Sequence, residues 1–138
     1  ARPILDALGF SAIETMAIQH IIIAHSFSAN IPPETLEAKI LQDADRMEAV
    51  GALGIARTFY VGGMMHSALF DGDDPFANDR ELDDSKFAFD HFKTKLLGLA
   101  NTMQTPAGRE LARQRTEFMG LYLDQLAREI GESNTWAG

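Results

Sequence analysis

Apolar positions recur at spacings of three and four along most of the chain, and alternation of the kind a half-buried strand needs does not extend beyond a few residues. The pattern predicts an all-α protein. Ser11 followed by Glu14 forms a capping-box signature ahead of "AIETMAIQHIIIAHS", so a helix is expected over about residues 11–25, ending in "FSANIPP". Pro32 and Pro33 suit a helix entry, and "ETLEAKILQDADRMEAVGALGIARTFYV" continues without another proline to Gly62 and Gly63, with Gly51 and Gly54 permitting a bend. This is the longest helical candidate. A shorter apolar piece, "MMHSALF", leads into "DGDDPFANDRELDD", whose Asp, Gly, Asn and Pro content marks a surface loop. A third helix is expected over about residues 85–99, with Phe87, His91, Phe92, Lys95, Leu96 and Leu99 at helical spacing. Thr105 and Pro106 open a last helix as cap and first-turn residue, with Leu111, Phe118, Met119, Tyr122, Leu126 and Ile130 as its buried stripe. The closing "GESNTWAG" reads as frayed.

The chain of 138 residues, 46% of them hydrophobic, is enough for one core, so residues 1–138 are read as a single domain. Asp and Glu outnumber Lys and Arg by 20 to 12, the net charge is −8, and no basic stripe could follow a phosphate backbone. Polymeric nucleic acid is therefore excluded as an expected partner. With no cysteine, disulfides, thiolate metal sites and cysteine nucleophiles are also excluded. Apolar runs such as "HIIIA" and "GALGIA" fall far short of the roughly 20 residues a membrane span needs, and no signal-peptide pattern is visible. The expectation is a protein of the cytoplasm without membrane attachment. Neither glycine-rich phosphate-loop pattern occurs, and the acidic loop from Asp71 fails the calcium-loop spacing because Pro75 stands at a ligand position.

Two aspartates, Asp43 and Asp45, run through the middle of the longest helical candidate. At about 100° per residue they point roughly 200° apart, so both cannot face one site. Asp43 has Lys39 four residues before it and Arg46 three after it, and pairing along its own helix accounts for it. Asp45 has no cationic neighbour on its face and has Glu48 nearby. If that face is buried, positive charge must come from a divalent metal or from an Arg or Lys of another helix. His20 and His25 lie five residues apart, which is not the four-residue spacing of a helical zinc pair. His25, beside the polar exit "SFSAN", is the better functional candidate; His66 and His91 have weaker cases. Lys95, one turn beyond His91, could reach a phosphate or simply cover surface.

The segments "HSFSANIPPETLEAKILQDADRMEAVGALGIARTF", "LFDGDDPF" and "DHFKTKLLGLANTMQTPAGRELARQRTEFM" resemble the later part of bacterial HD-domain metal-dependent phosphohydrolases, some of which cleave nucleoside triphosphates to monophosphate and pyrophosphate. The resemblance covers nearly the whole chain. It implies an all-helical domain that holds a divalent metal, manganese or magnesium in first place with other transition metals open, through a histidine, an adjacent His-Asp pair and a later aspartate in an "AD" dipeptide. That aspartate corresponds to Asp45. The dipeptide His-Asp occurs nowhere in the chain, which also opens without methionine. The resemblance thus implies a C-terminal portion, incomplete at its N-terminus, whose missing ligands leave it inactive alone.

For the intact enzyme, hydrolysis of a phosphate ester or anhydride of a small phosphorylated substrate, a nucleotide above all, is implied. In that reading the metal lowers the pKa of a bound water. His25 and His20 bind phosphate oxygens or pass a proton, and Glu48 orients water or a ligand. Arg46, Arg57 and Lys95 hold the remaining phosphates. Self-association through uncovered apolar stripes is expected. The alternative is a non-catalytic helical module that binds a nucleotide or another protein.

Overall fold

The computed structural model describes residues 1–26 and 31–136. Six α-helices and one 3₁₀ helix make up the described chain, and the sole strand-like feature among these residues is an isolated parallel bridge between Ala68 and Phe87. The all-α expectation holds. The chain divides into two compact units, Ala1–Asp45 and Arg46–Gly138, which are treated in turn.

The first unit opens with α1 (Arg2–Ala7), a short helix with Pro3 in its first turn that packs on α2 (Ala12–Ala24). The capping box is present: the Ser11 hydroxyl accepts from the Glu14 amide, and the Glu14 carboxylate accepts from the Ser11 amide at 2.8 Å. The expected helix is therefore found one residue inside its anticipated ends. Part of the anticipated exit segment, residues 27–30, lies outside the described residues. Thr35 then caps α3 (Leu36–Met47) by accepting from the Ala38 amide at 3.2 Å. Two polar ties hold this unit: the Gln42 amide donates to the Ala24 carbonyl at 2.8 Å, and the Glu34 amide donates to His20 Nε2 at 3.0 Å.

The long candidate helix is in fact two. After α3 the backbone turns through Glu48–Val50, Gly51 takes φ +77°, and α4 (Gly51–Met64) starts afresh. That left-handed conformation suits glycine, and the Arg115 side-chain carbons at 3.2–3.3 Å from the place of a Cβ leave little room for anything larger. Arg115 also donates to the Met47 carbonyl at 2.8 Å, satisfying an acceptor that the broken helix leaves open.

The anticipated third helix over residues 85–99 is also broken. It resolves into α5 (Asp90–Thr94) and a 3₁₀ helix (Leu96–Thr102), separated by Lys95 at φ −140°, ψ −55°. Burying Phe89, Phe92, Leu96 and Leu99 in one core takes precedence here over regular helix geometry. Thr105 caps α6 (Pro106–Ile130) by accepting from the Gly108 amide, and Gly131 at φ +78° ends it. The buried stripe of α6 is Ala112, Met119, Leu123 and Ala127; Tyr122, Leu126 and Ile130 flank it, whereas Leu111 and Phe118 are 44% and 49% exposed, contrary to expectation. The tail is likewise not frayed at Trp136, which lies in the core against Phe76 and Phe89 and donates its indole N–H to the Phe76 carbonyl at 2.7 Å.

Candidate functional site

Asp43 and Asp45 diverge as the helix geometry requires, and the condition that the Asp45 face be buried is not met. Asp43 is 4% exposed and Asp45 faces solvent. An exposed carboxylate needs no compensating cation, so the burial argument for a metal at Asp45 does not apply, and the candidacy of Asp45 rests on the family resemblance. Asp43, read as paired along its own helix, is a buried carboxylate.

His20 and His25 are half-buried on α2 and at its C-cap. Each spends one ring nitrogen on the backbone: His20 Nε2 accepts from the Glu34 amide, and His25 Nδ1 meets the Ile22 carbonyl. What remains for chemistry is Nδ1 of His20 and Nε2 of His25.

In the second unit, Arg46 Nη1 donates to the Thr102 carbonyl, a structural use of part of its guanidinium. Glu48 and Arg57 face each other at 3.8 Å, both exposed, across the mouth of an open groove of about 310 Å³ floored by Leu53, Ala56 and Tyr60. Glu48 and Arg57 are thus brought together. Lys95 is exposed between α5 and the 3₁₀ helix. Among the described residues, no group of three or more His, Asp or Glu side chains is placed to hold a metal ion. Those residues do not compose a metal site by themselves.

The polar geometry that spacing did not anticipate lies in and after the acidic loop. Asp90 is wholly buried, accepts from Arg80 Nη1 at 2.6 Å and Nη2 at 2.8 Å, and takes a further hydrogen bond from the Asp83 amide at 2.7 Å. Donation to the Asp90 carboxylate raises the Arg80 pKa further above its already high value. Nearby, Asp84 Oδ2 meets His91 Nδ1 at 2.9 Å and accepts from the Thr94 hydroxyl at 3.0 Å. The His91 contact, with that of Thr94 behind it, lowers the Asp84 pKa. The sequence signal for both clusters is weak, because Arg80 and Asp90 are ten residues apart and Asp84 precedes the helix that carries His91.

No family model matches the chain. The YpgQ protein of Bacillus subtilis is 39% identical over 98 residues, which cover 71% of this chain and 42% of YpgQ. A crystal structure of YpgQ superposes with TM-score 0.74 at 37% identity, covering 91% of this chain and 61% of that one. The YpgQ structure in complex with ADP gives 0.72 at the same identity, over 91% of this chain and 57% of that one. An HD-superfamily hydrolase of Bacillus thuringiensis gives 0.73 at 33% identity, over 94% of this chain and 60% of its own. The chain spans less than two thirds of the length of each of these relatives. No helix among the described residues is long and apolar enough to cross a membrane. With its helices, its near absence of strand and these superpositions, the chain has the all-α fold of the HD-domain hydrolases.

Proposed function

We propose that this chain is part of a metal-dependent phosphohydrolase that cleaves a phosphoanhydride or phosphate ester of a nucleotide. The observation that carries the reading is the likeness to an HD-superfamily hydrolase at 33% identity over 94% of the chain. The ADP held by YpgQ supports a nucleotide as the ligand class. Asp45 contributes one carboxylate to the metal site of that enzyme. Because the described residues do not assemble a metal site, the roles that follow concern this chain's own side chains alone. The open groove at Glu48 and Arg57 offers an apolar floor with Tyr60 and a guanidinium at its edge, chemistry that suits a planar base and a phosphate oxygen. Lys95 and Arg46 are the further cations proposed to meet phosphate oxygens, and in the first unit His25 and His20 offer one ring nitrogen each.

A second reading, nucleotide binding without turnover, rests on the ADP held by YpgQ alone. One comparison separates the two. In the full-length protein, Asp45→Asn is expected to lose metal content and manganese-dependent nucleotide turnover while its melting temperature stays close to wild type, since Asp45 is exposed. Asp43→Asn is expected to keep metal and turnover but to lose about 1–3 kcal/mol of stability, the cost of disturbing a buried polar group. Wild-type ADP binding without any turnover supports the second reading, and unchanged metal content in Asp45→Asn overturns Asp45 as ligand.

A further inference from the structure

The acid–base chemistry of a phosphohydrolase needs a group that can return a proton to the departing oxygen, and His20 and His25 each have a ring nitrogen engaged by backbone. His91 is held differently. Its Nδ1 lies 2.9 Å from Asp84 Oδ2, the same oxygen that accepts from the Thr94 hydroxyl at 3.0 Å, and one third of its side chain remains exposed. An ionised carboxylate can only accept, so the hydrogen on this contact belongs to His91 Nδ1 and the ring's second nitrogen, Nε2, carries the exchangeable function. Thr94 fixes the carboxylate from the turn that follows, so the ring is oriented by two residues of different segments. This is the arrangement in which a carboxylate selects a histidine tautomer and stabilises the imidazolium that forms.

We propose that Asp84, Thr94 and His91 form a proton-transfer dyad with a supporting hydroxyl, in which His91 is the general acid for the leaving oxygen of a phosphate ester or anhydride. The role rests on the phosphohydrolase reading above; the tautomer does not. A water oxygen bonds to phosphorus and gives its proton to solvent, the bond from phosphorus to the leaving oxygen breaks, that oxygen keeps the bonding pair and takes the Nε2 proton of imidazolium His91, and neutral His91 recovers a proton from water with its Nδ1–H still directed at Asp84. Asp84, which meets the ring, has Asp83 as its charged neighbour in the loop, and Asp83 pairs with Lys86 at 3.3 Å; Lys93 and Lys95 follow His91 along the chain, and the 3₁₀ helix packed against α5 brings no titratable side chain.

Two measurements test this. Long-range proton–nitrogen NMR of the 138-residue chain above the histidine titration is expected to show His91 as the Nδ1–H tautomer, and Asp84→Asn to release it to a mixture; an Nε2–H ring, or one indifferent to Asp84→Asn, overturns the dyad. In the full-length protein, His91→Gln is expected to lower kcat on a nucleoside triphosphate by about 100-fold or more. On an aryl phosphate whose leaving group departs without a proton, the loss is expected to be below about tenfold, because general acid catalysis assists poor leaving groups most. Equal losses on both substrates overturn the catalytic role and leave His91 a structural residue. If the wild type hydrolyses neither substrate, the phosphohydrolase reading fails and the catalytic role with it, an outcome that the tautomer result distinguishes from failure of the dyad itself.

Discussion

Arg80 ties the acidic loop to α5 at several points. Its two terminal nitrogens fork onto Asp90, its Nε donates to the Asp74 carbonyl at 3.0 Å, and its guanidinium carbon lies 4.5 Å from the centre of the Phe87 ring. A carboxylate with no solvent contact cannot lose such a partner cheaply, since the remaining charge has neither water nor counter-ion. Arg80→Ala is therefore expected to cost about 3–5 kcal/mol in denaturant unfolding, and Arg80→Lys most of that, because an ammonium cannot make the fork. A loss below about 1 kcal/mol for Arg80→Ala would show that Asp90 finds other support. At this scale the sequence was legible where the determinant is local and illegible where it is distant. Angular separation of Asp43 and Asp45 follows from helix geometry alone. Which of them is buried depends on what packs against α3, and no residue on α3 itself encodes that. The Arg80–Asp90 fork and the Asp84–His91 contact join residues seven to ten positions apart across turns, a spacing no periodic template predicts.

The segment from Asp71 to Asp84 owes its shape to aspartates that accept hydrogen bonds from nearby backbone. Asp71 accepts from the amides of Asp73 and Asp74, and Asp74 from those of Asn78 and Asp79. These bonds favour the charged forms and lower both pKa values; the Ser85 hydroxyl does the same for Asp83, and His91 for Asp84. Each folded-state pKa thus lies below its unfolded value, so the stabilisation is complete above the unfolded value, about 4, and is lost as the pH falls through the folded values. The chain's one tryptophan reports on this segment, because Trp136 donates to the carbonyl of Phe76 within it. Trp136 emission is expected to stay constant from neutral pH to about 4 and to change below it, with Asp74→Asn weakening the loop at every pH above that point. A transition centred above pH 5 would assign the acid response to another group. Elements with a strong local stop or start signal were legible: Ser11 with Glu14, Thr105 with Pro106, and the loop itself. Gly51 was visible as a permitted bend, but its positive φ and the closeness of the Arg115 side chain from α6 were not. The 3₁₀ helix after α5 and the docking of Trp136 reflect an aromatic cluster of Phe76, Phe89, Phe92 and Trp136 drawn from three parts of the chain, which outweighs local propensity.

Across the whole chain the core is unevenly supplied. The second unit encloses a continuous cluster from Met47 to Trp136, whereas α1 has no buried residue and α2 buries only Thr15 and Ala24. Ile4, Leu8, Ile13 and Met16 are 66–82% exposed in the first unit, and Leu53, Tyr60, Met64 and Met65 are 59–70% exposed in the second. Single exposed apolar side chains are ordinary, but so many large ones along α1, α2 and α4 leave much surface whose removal from water would be favourable at roughly 25 cal/mol per Å². The net charge of −8 opposes association at low ionic strength and is screened within about 10 Å at 0.1 M salt. The 138-residue chain is therefore expected to associate in sedimentation velocity as its concentration rises, more strongly at 0.5 M than at 0.02 M salt, with salt values chosen to span that screening length. Replacing Ile13 and Met16 together by glutamate is expected to shift the population toward monomer at every concentration, since both side chains already face water and their loss removes nothing from a core. A wild-type chain that sediments as a monomer throughout, with a single cooperative melt, would show that these apolar faces are tolerated as they stand.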